Sequence, residues 1–284
     1  MCSAQPERVA SLTTKDFRAA FQPIVCLSSG ETLGQEVLAR CLQDQFKNPL
    51  YLFAAAAQQK ACGRLGRIVR EVAVRKSPKI NLFLNIHPQE LSQRWLVRPD
   101  DPMCLHEGRL YLEITESAAF RHFELSMQVL AEVRERVDAR IVVDDFGVEY
   151  SNFERVLALN PEIVKLDKTL VRGVHTSTQR QVRVERLIAL CHQTGARVVT
   201  EGIEEEDELN AVINCGADLG QGYLLGRPAF TPVCGELPPQ SCPSPSQETT
   251  VFTSPDTSTS QETTGASDAL VESQHTRDSR RAAS

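Results

Sequence analysis

Arg140-Ile141-Val142-Val143-Asp144-Asp145-Phe146-Gly147 decides how the rest of the chain is read. A short apolar run rich in β-branched residues and closed by a glycine turn has the pattern of a buried strand. Two adjacent carboxylates at the end of such a strand are costly unless their charge is compensated. Either they are surface loop acids or they hold a cation.

On both sides of this stretch the chain repeats the same rhythm. Upstream, residues 81–86 (NLFLNI) and 109–115 (RLYLEIT) read as strands, with a short helix over 88–95 and an amphipathic helix over 120–137. Downstream, strands are expected over 162–167, 196–202 and 217–225, with helices over 150–159, 177–193 and 205–215. At the N-terminal side, residues 17–27, interrupted by Pro23, and residues 35–40 flank the turn Ser28-Ser29-Gly30 and read as a hairpin. Pro49 then opens a long helical pattern running from Tyr51 to about Arg75. Strands alternating with helices imply parallel pairing through crossover helices. Eight strands point to a closed (β/α) barrel more than to an open doubly wound sheet, although the count alone leaves both.

Composition narrows the class. The 284 residues carry 31 basic and 37 acidic side chains, a formal charge of −6, which lacks the basic footprint of a duplex nucleic-acid binder. The nine cysteines form no C-x-x-C pair, so free thiols in a reducing, cytoplasmic setting are expected in place of disulfides or zinc. No apolar run approaches the ~20 residues of a membrane span, and no membrane insertion is expected. Residues 1–14 read as a short polar leader and 15–232 as the folded domain. Residues 233–284 turn to Ser, Thr, Pro, Gln and Glu, with SQETT at 246–250 and again at 260–264. Such a segment cannot offset its ordering entropy by burial and reads as a disordered tail.

The chemistry lies at the strand ends. In chain order these carry Glu36 and Arg40, Asn85, Glu113 and Glu116, Asp144 and Asp145, Lys165 and Asp167, Glu201 and Glu204, and Gln221. In a parallel barrel those ends meet on one face, where active sites are built. A lone strand-end acid is usually a cap, but so many on consecutive strands are not explained that way. Hard oxygen ligands suit Mg²⁺ or Mn²⁺, and an adjacent Asp pair can help hold two ions ~3.5–4 Å apart for displacement at phosphorus. A lysine among carboxylates can orient water or neutralise phosphate charge. The residues alone therefore lead to a metal-assisted phosphoester hydrolase. Asp167 is read equally as a ligand-shell residue or a helix cap, and the run Glu205 to Glu208 as helix N-terminal charge without a catalytic part.

Gln22-Pro23-Ile24, Glu36-Val37-Leu38-Ala39-Arg40, Asn85, Glu113-Ile114-Thr115-Glu116, Asp144-Asp145-Phe146-Gly147, Lys165-Leu166-Asp167, Glu201-Gly202-Ile203-Glu204 and Gln221-Gly222-Tyr223 together resemble the EAL-type cyclic-di-GMP phosphodiesterases over about residues 15–232. The resemblance implies a modified TIM (β/α)8 barrel with an antiparallel first strand. It also implies hydrolysis of cyclic di-GMP to linear pGpG with two Mg²⁺ or Mn²⁺ ions per active site. It assigns metal ligation to Glu36, Asn85, Glu113, Asp144 and Asp145, and general-base catalysis near the metals to Glu201. Lys165 would contact the catalytic water, and Gln22 and Arg40 the substrate. Glu116 would anchor the loop after the fifth strand, with Asp167, Glu204 and Gln221 in supporting roles. A homodimer through the region of that loop is a further implication. Two departures stand out: Val37 replaces the signature Ala, and Val148-Glu149 replaces the usual Thr-Gly after Phe146-Gly147. The second removes a glycine's access to positive φ and points to reduced activity. A catalytically weak or inactive cyclic-di-GMP-binding module signalling through a protein partner is the alternative.

Overall fold

The computed structural model describes residues 8–92, 95–115, 123–147, 156 and 158–232. Eight strands close a barrel in sequence order: β1 (Phe17–Cys26), β2 (Thr32–Cys41), β3 (Leu82–Asn85), β4 (Leu110–Thr115), β5 (Arg140–Phe146), β6 (Ile163–Leu166), β7 (Arg197–Thr200) and β8 (Leu219–Gly220). Neighbours from β2 to β8 are parallel, whereas β1 runs antiparallel to both β2 and β8. The expected barrel with an inverted first strand is therefore present. The inversion follows from the hairpin: the turn before Glu31, with Gly30 at φ +76, is too short for a crossover and returns the chain beside itself. At the seam, Ala229 pairs with Phe21 through both backbone hydrogen bonds (2.8 and 3.0 Å).

Inside the barrel, Ile24, Phe83, Tyr111, Val142, Ile163, Val199 and Leu219 form one buried apolar layer. The rings of Phe83 and Tyr111 stack with centroids 4.2 Å apart and planes 7° from parallel. β2 contributes Gly34 at this level, where a Cβ would come within 2.9 Å of the Phe83 ring and 2.8 Å of Asn81 O. Strand residues on one face recur every second position. The inward residues one step toward the open end are therefore Gln22 on the inverted β1 and, on β2 to β8, Glu36, Asn85, Glu113, Asp144, Lys165, Glu201 and Gln221. The apolar layer is the floor on which this polar layer stands.

Outside the strands, helices α1 (Pro49–Gln58), α2 (Cys62–Lys76), α3 (Pro88–Ser92), α4 (Phe123–Val137), α5 (Lys168–Val171), α6 (Thr178–His192) and α7 (Glu206–Asn214) bury the outer strand faces. The single helix expected over 51–75 is two. α1 starts with Pro49 after Asn48, whose side chain accepts from Leu50 N, and it stops at Lys60, which takes φ +53. The break lets Leu52, Ala56, Cys62, Leu65 and Ile68 face one cluster with Phe17 and Phe46. Val9 and Leu12, inside the stretch read as a leader, are buried in that same cluster. The expected strand over 217–225 shortens to Leu219–Gly220, because Gly222 has Ile203 backbone atoms where a Cβ would sit and the chain turns away there. Four readings fall outside the described residues: most of the helix over 150–159, Glu116, the Val148-Glu149 loop with its dimer contact, and the tail. Among the described residues no helix is long and apolar enough to cross a membrane.

Candidate active site

Consecutive strand residues point to opposite faces, so an Asp-Asp pair at a strand end would ordinarily send one acid outward. Here the β5–β6 register shifts between Val143 and Phe146, and Asp145 adopts φ +58. This irregularity has the character of a bulge, a device that re-aims side chains beside functional sites. Oxygens of Asp144, Asp145 and Glu201 consequently lie within 4.8 Å of one another. Gly147 follows at φ +93, where a Cβ would lie 2.8 Å from Leu170.

Beside this trio Lys165 is buried, 1% exposed, and faces four carboxylates. Its Nζ lies 2.5 Å from Glu201 Oε1, 2.8 Å from Glu113 Oε1, 3.4 Å from Asp144 Oδ1 and 3.5 Å from Glu36 Oε2. Burial disfavours the ammonium, but the surrounding charges win and hold its pKa well above the ordinary lysine value. Glu36 is fixed from two further sides: Oε1 accepts from Asn85 Nδ2 at 2.9 Å and Oε2 from Gln221 Nε2 at 2.7 Å. Burial pushes its carboxyl up, while Lys165 and these two amides bring it below the ordinary value. Glu113 goes the other way, raised well above its ordinary value by burial and by Glu36. Asp145 is raised by burial and then by Asp144.

These groups fit a pair of divalent cations. Glu36, Glu113, Asp144, Asp145 and Glu201 set five negative charges against the single ammonium, a net −4 when all are ionised. Glu113 Oε1 and Asp144 Oδ1 meet the Lys165 ammonium, at 2.8 and 3.4 Å, whereas Glu113 Oε2 is buried and accepts no hydrogen bond. Native structures rarely leave buried polar atoms in that state without an ion or ligand to meet them. The donor set is all oxygen, as hard cations require.

The remaining expected residues are placed as follows. Gln22 lies opposite Glu36 in the β1–β2 register and donates to Gly226 O at 3.1 Å. Arg40 is half-buried at the same end of β2 and donates to Ala39 O at 3.0 Å. Asp167 caps α5, with Oδ1 accepting from Thr169 N at 2.8 Å, which is the capping alternative. Glu204 is exposed and pairs with Arg172 at 2.6 Å. What the strand-end reading lacked was the layer: apart from Glu36, which follows Gly34, each inward site residue stands two positions from an apolar floor residue, a signal already visible as Tyr111-x-Glu113 or Ile163-x-Lys165.

Glu201 makes this electrostatics testable. Burial lifts its carboxyl to about 7; Lys165 opposes the shift, and the charges of Asp144 and Glu36 add to it. A folded-state value above the ordinary 4.5 favours the protonated form on folding. That contribution is full below about pH 4.5 and is lost as pH rises to about 7. In chelator, the wild type should therefore lose stability on the order of 2 kcal/mol across that window that Glu201→Gln does not lose, or about 4–8 °C in Tm. Parallel Tm–pH curves for the two proteins would contradict it.

An eight-stranded barrel with one inverted strand carries a carboxylate–lysine layer at its open end. The chain belongs to the EAL domain family, whose profile matches residues 7–228. Among its relatives, the cyclic di-GMP phosphodiesterase RocR of Pseudomonas aeruginosa is 28% identical over 233 residues, covering 78% of this chain and 59% of RocR. A second cyclic di-GMP phosphodiesterase of that organism is 31% identical over 231 residues, covering 76% of this chain and 39% of its own. The chain thus spans less than two thirds of the length of these relatives. The manganese/cy-diGMP complex of Klebsiella pneumoniae BlrP1 superposes with a TM-score of 0.64 at 26% identity, covering 79% of this chain and 58% of that one. The FimX EAL domain from Pseudomonas aeruginosa bound to c-di-GMP shares the fold, with a TM-score of 0.66 at 22% identity over 77% of this chain and 93% of that one.

Proposed function

We propose that this chain is a phosphodiesterase that uses two Mg²⁺ or Mn²⁺ ions to open cyclic di-GMP to linear pGpG. The observation that carries the proposal is the convergence of Asp144, Asp145 and Glu201 beside a buried lysine that Glu36, Glu113, Asp144 and Glu201 surround, with Glu113 Oε2 buried and accepting no hydrogen bond. Relatives that are named cyclic di-GMP phosphodiesterases support the choice of substrate.

In this proposal Glu36, Asn85, Glu113, Asp144 and Asp145 hold the cations, with Glu201 at their edge. When bound, such ions polarise the phosphoryl oxygens and acidify an attacking water. The chain's own residues do the rest. Glu201, whose carboxylate converges with those of Asp144 and Asp145, accepts the water's proton. Lys165 carries three N–H donors on one buried ammonium, orients the water and balances charge that builds on the phosphate. Asn85 and Gln221 hold Glu36 in one rotamer through its two oxygens. Arg40 and Gln22, at the rim of the same end, bind the dinucleotide. Its two phosphates supply the anionic partner that an acidic layer can accept only through bound cations.

A product assay tests the proposal. Purified chain incubated with cyclic di-GMP should release pGpG in Mn²⁺ and none in excess chelator. The departure at Val148-Glu149 favours a low turnover. Binding of cyclic di-GMP without product at every Mn²⁺ and Mg²⁺ concentration would overturn the enzyme and establish a receptor module.

A further inference from the structure

Glu208 lies in the first turn of α7, among acids that ordinarily serve only the helix dipole. Unlike its exposed neighbours Glu206 and Asp207, it is 3% exposed. Its Oε2 accepts from Glu204 N at 3.0 Å and Glu205 N at 3.4 Å. With the Glu205 side chain this completes a capping box. Capping does not account for the other oxygen. Oε1 accepts from Gly173 N at 2.8 Å, a backbone amide 35 residues earlier. Gly173, at φ +67, ends the segment that leaves β6 just after Lys165.

The same two segments meet at two other places. Gly202 takes φ +73 where a Cβ would fall 2.5 Å from Lys168 Cβ, and Arg172 pairs with Glu204 at 2.6 Å. Ile203, between them, donates to Gln221 O at 3.1 Å. Residues 201–205 are thereby tied to the segment following Lys165 and to the residue that holds Glu36. Glu208 is the buried member of these ties. Burial pushes its carboxyl up, but three backbone N–H groups outweigh burial and keep it below the ordinary glutamate value.

We propose that Glu208 is a positioning residue that locks the β7 loop against the β6 loop and so fixes Glu201 over Lys165 and the Asp pair. The proposal rests on the reading of Glu201 as a group at the cation site. In that role Glu208 acts like the partners behind metal ligands, whose loss typically costs about 10–100-fold in metal affinity or activity.

Glu208→Gln keeps the shape and one acceptor oxygen but turns an NH₂ toward an N–H donor. The probe is Mn²⁺ alone, with free ion followed by electron paramagnetic resonance, alongside steady-state hydrolysis and metal-free Tm. Mn²⁺ affinity should fall by about 10-fold and kcat by about 10-fold, with KM for cyclic di-GMP within twofold of wild type. Asp207→Ala, one residue away and exposed, should leave all three unchanged. A lowered Tm with unchanged Mn²⁺ affinity and kcat would reduce Glu208 to a cap and overturn the proposal. Wild type that binds no Mn²⁺ would overturn the cation site and this proposal together, whereas wild type that binds and a variant that binds equally would overturn this proposal alone. Should Glu208→Gln not fold, hydrogen exchange on the wild type decides: the Gly173 and Glu204 amides must be protected together, and free exchange at either contradicts the lock.

Discussion

Replacing Asp145 by Asn should lower Mn²⁺-dependent hydrolysis of cyclic di-GMP by about 10³-fold or more, given what a two-metal site contributes at phosphorus. The fold should survive. Asn is nearly isosteric with Asp and tolerates the left-handed conformation, here φ +58, as well as any side chain other than glycine. What disappears is one of the three carboxylates that converge within 4.8 Å. Metal-linked stability should go with it. In wild type, Mn²⁺ at about 100 times its Kd adds about 2.7 kcal/mol, or about 5–10 °C in Tm for a domain of this size. Melting curves with and without Mn²⁺ check this, and an Asp145→Asn variant that retains either the thermal shift or the turnover would show that the bulge does not serve a metal.

The second large effect is on stability and lies away from the site. Arg70 on α2 is 2% exposed, reaches Glu90 Oε2 at 2.6 Å and forks onto Asp101 through Nε and Nη2 at 3.1 and 2.8 Å. Glu90 also accepts from His87 N, and Asp101 from Met103 N, so one guanidinium joins α2 to α3 and to the segment that follows α3. The space is tight, since a Cβ on Gly66 would lie 2.2 Å from Glu90 Oε2. Arg70→Ala strands two buried carboxylates and should cost about 3–5 kcal/mol, or about 6–20 °C in Tm. Neutralising all three groups, with Arg70→Met, Glu90→Gln and Asp101→Asn, should recover most of that loss. A single Arg70→Ala variant that melts within about 2–3 °C of wild type, the shift of roughly 1 kcal/mol, would mean the triad contributes little.

The barrel was legible in the sequence because short apolar runs such as Leu110–Thr115 recur between helical stretches and because Ser28-Ser29-Gly30 leaves room only for a hairpin. The polar layer was legible for the same reason: its members end strands in chain order. Three features were hidden. The break at Lys60 depends on a backbone conformation that a lysine does not advertise. The Arg70 triad joins positions 20 and 31 residues apart, a pairing that helical periodicity registers only as a charge on a helix. Glu208 carries the spacing of a capping box with Glu205, and that bland signal concealed its bond to Gly173. Even the Asp pair was only half readable. Its composition announced cation chemistry, but two neighbours on a regular strand cannot share a face, and it is at the shifted β5–β6 register that oxygens of both converge with those of Glu201.

The central claim is that the inward layer of this barrel is a two-cation site. Counting Mn²⁺ bound per chain at saturation, in the presence of cyclic di-GMP, tests it most directly. Two ions per chain, both lost in Asp145→Asn, is the expected result; one ion or none at saturating Mn²⁺ would contradict it.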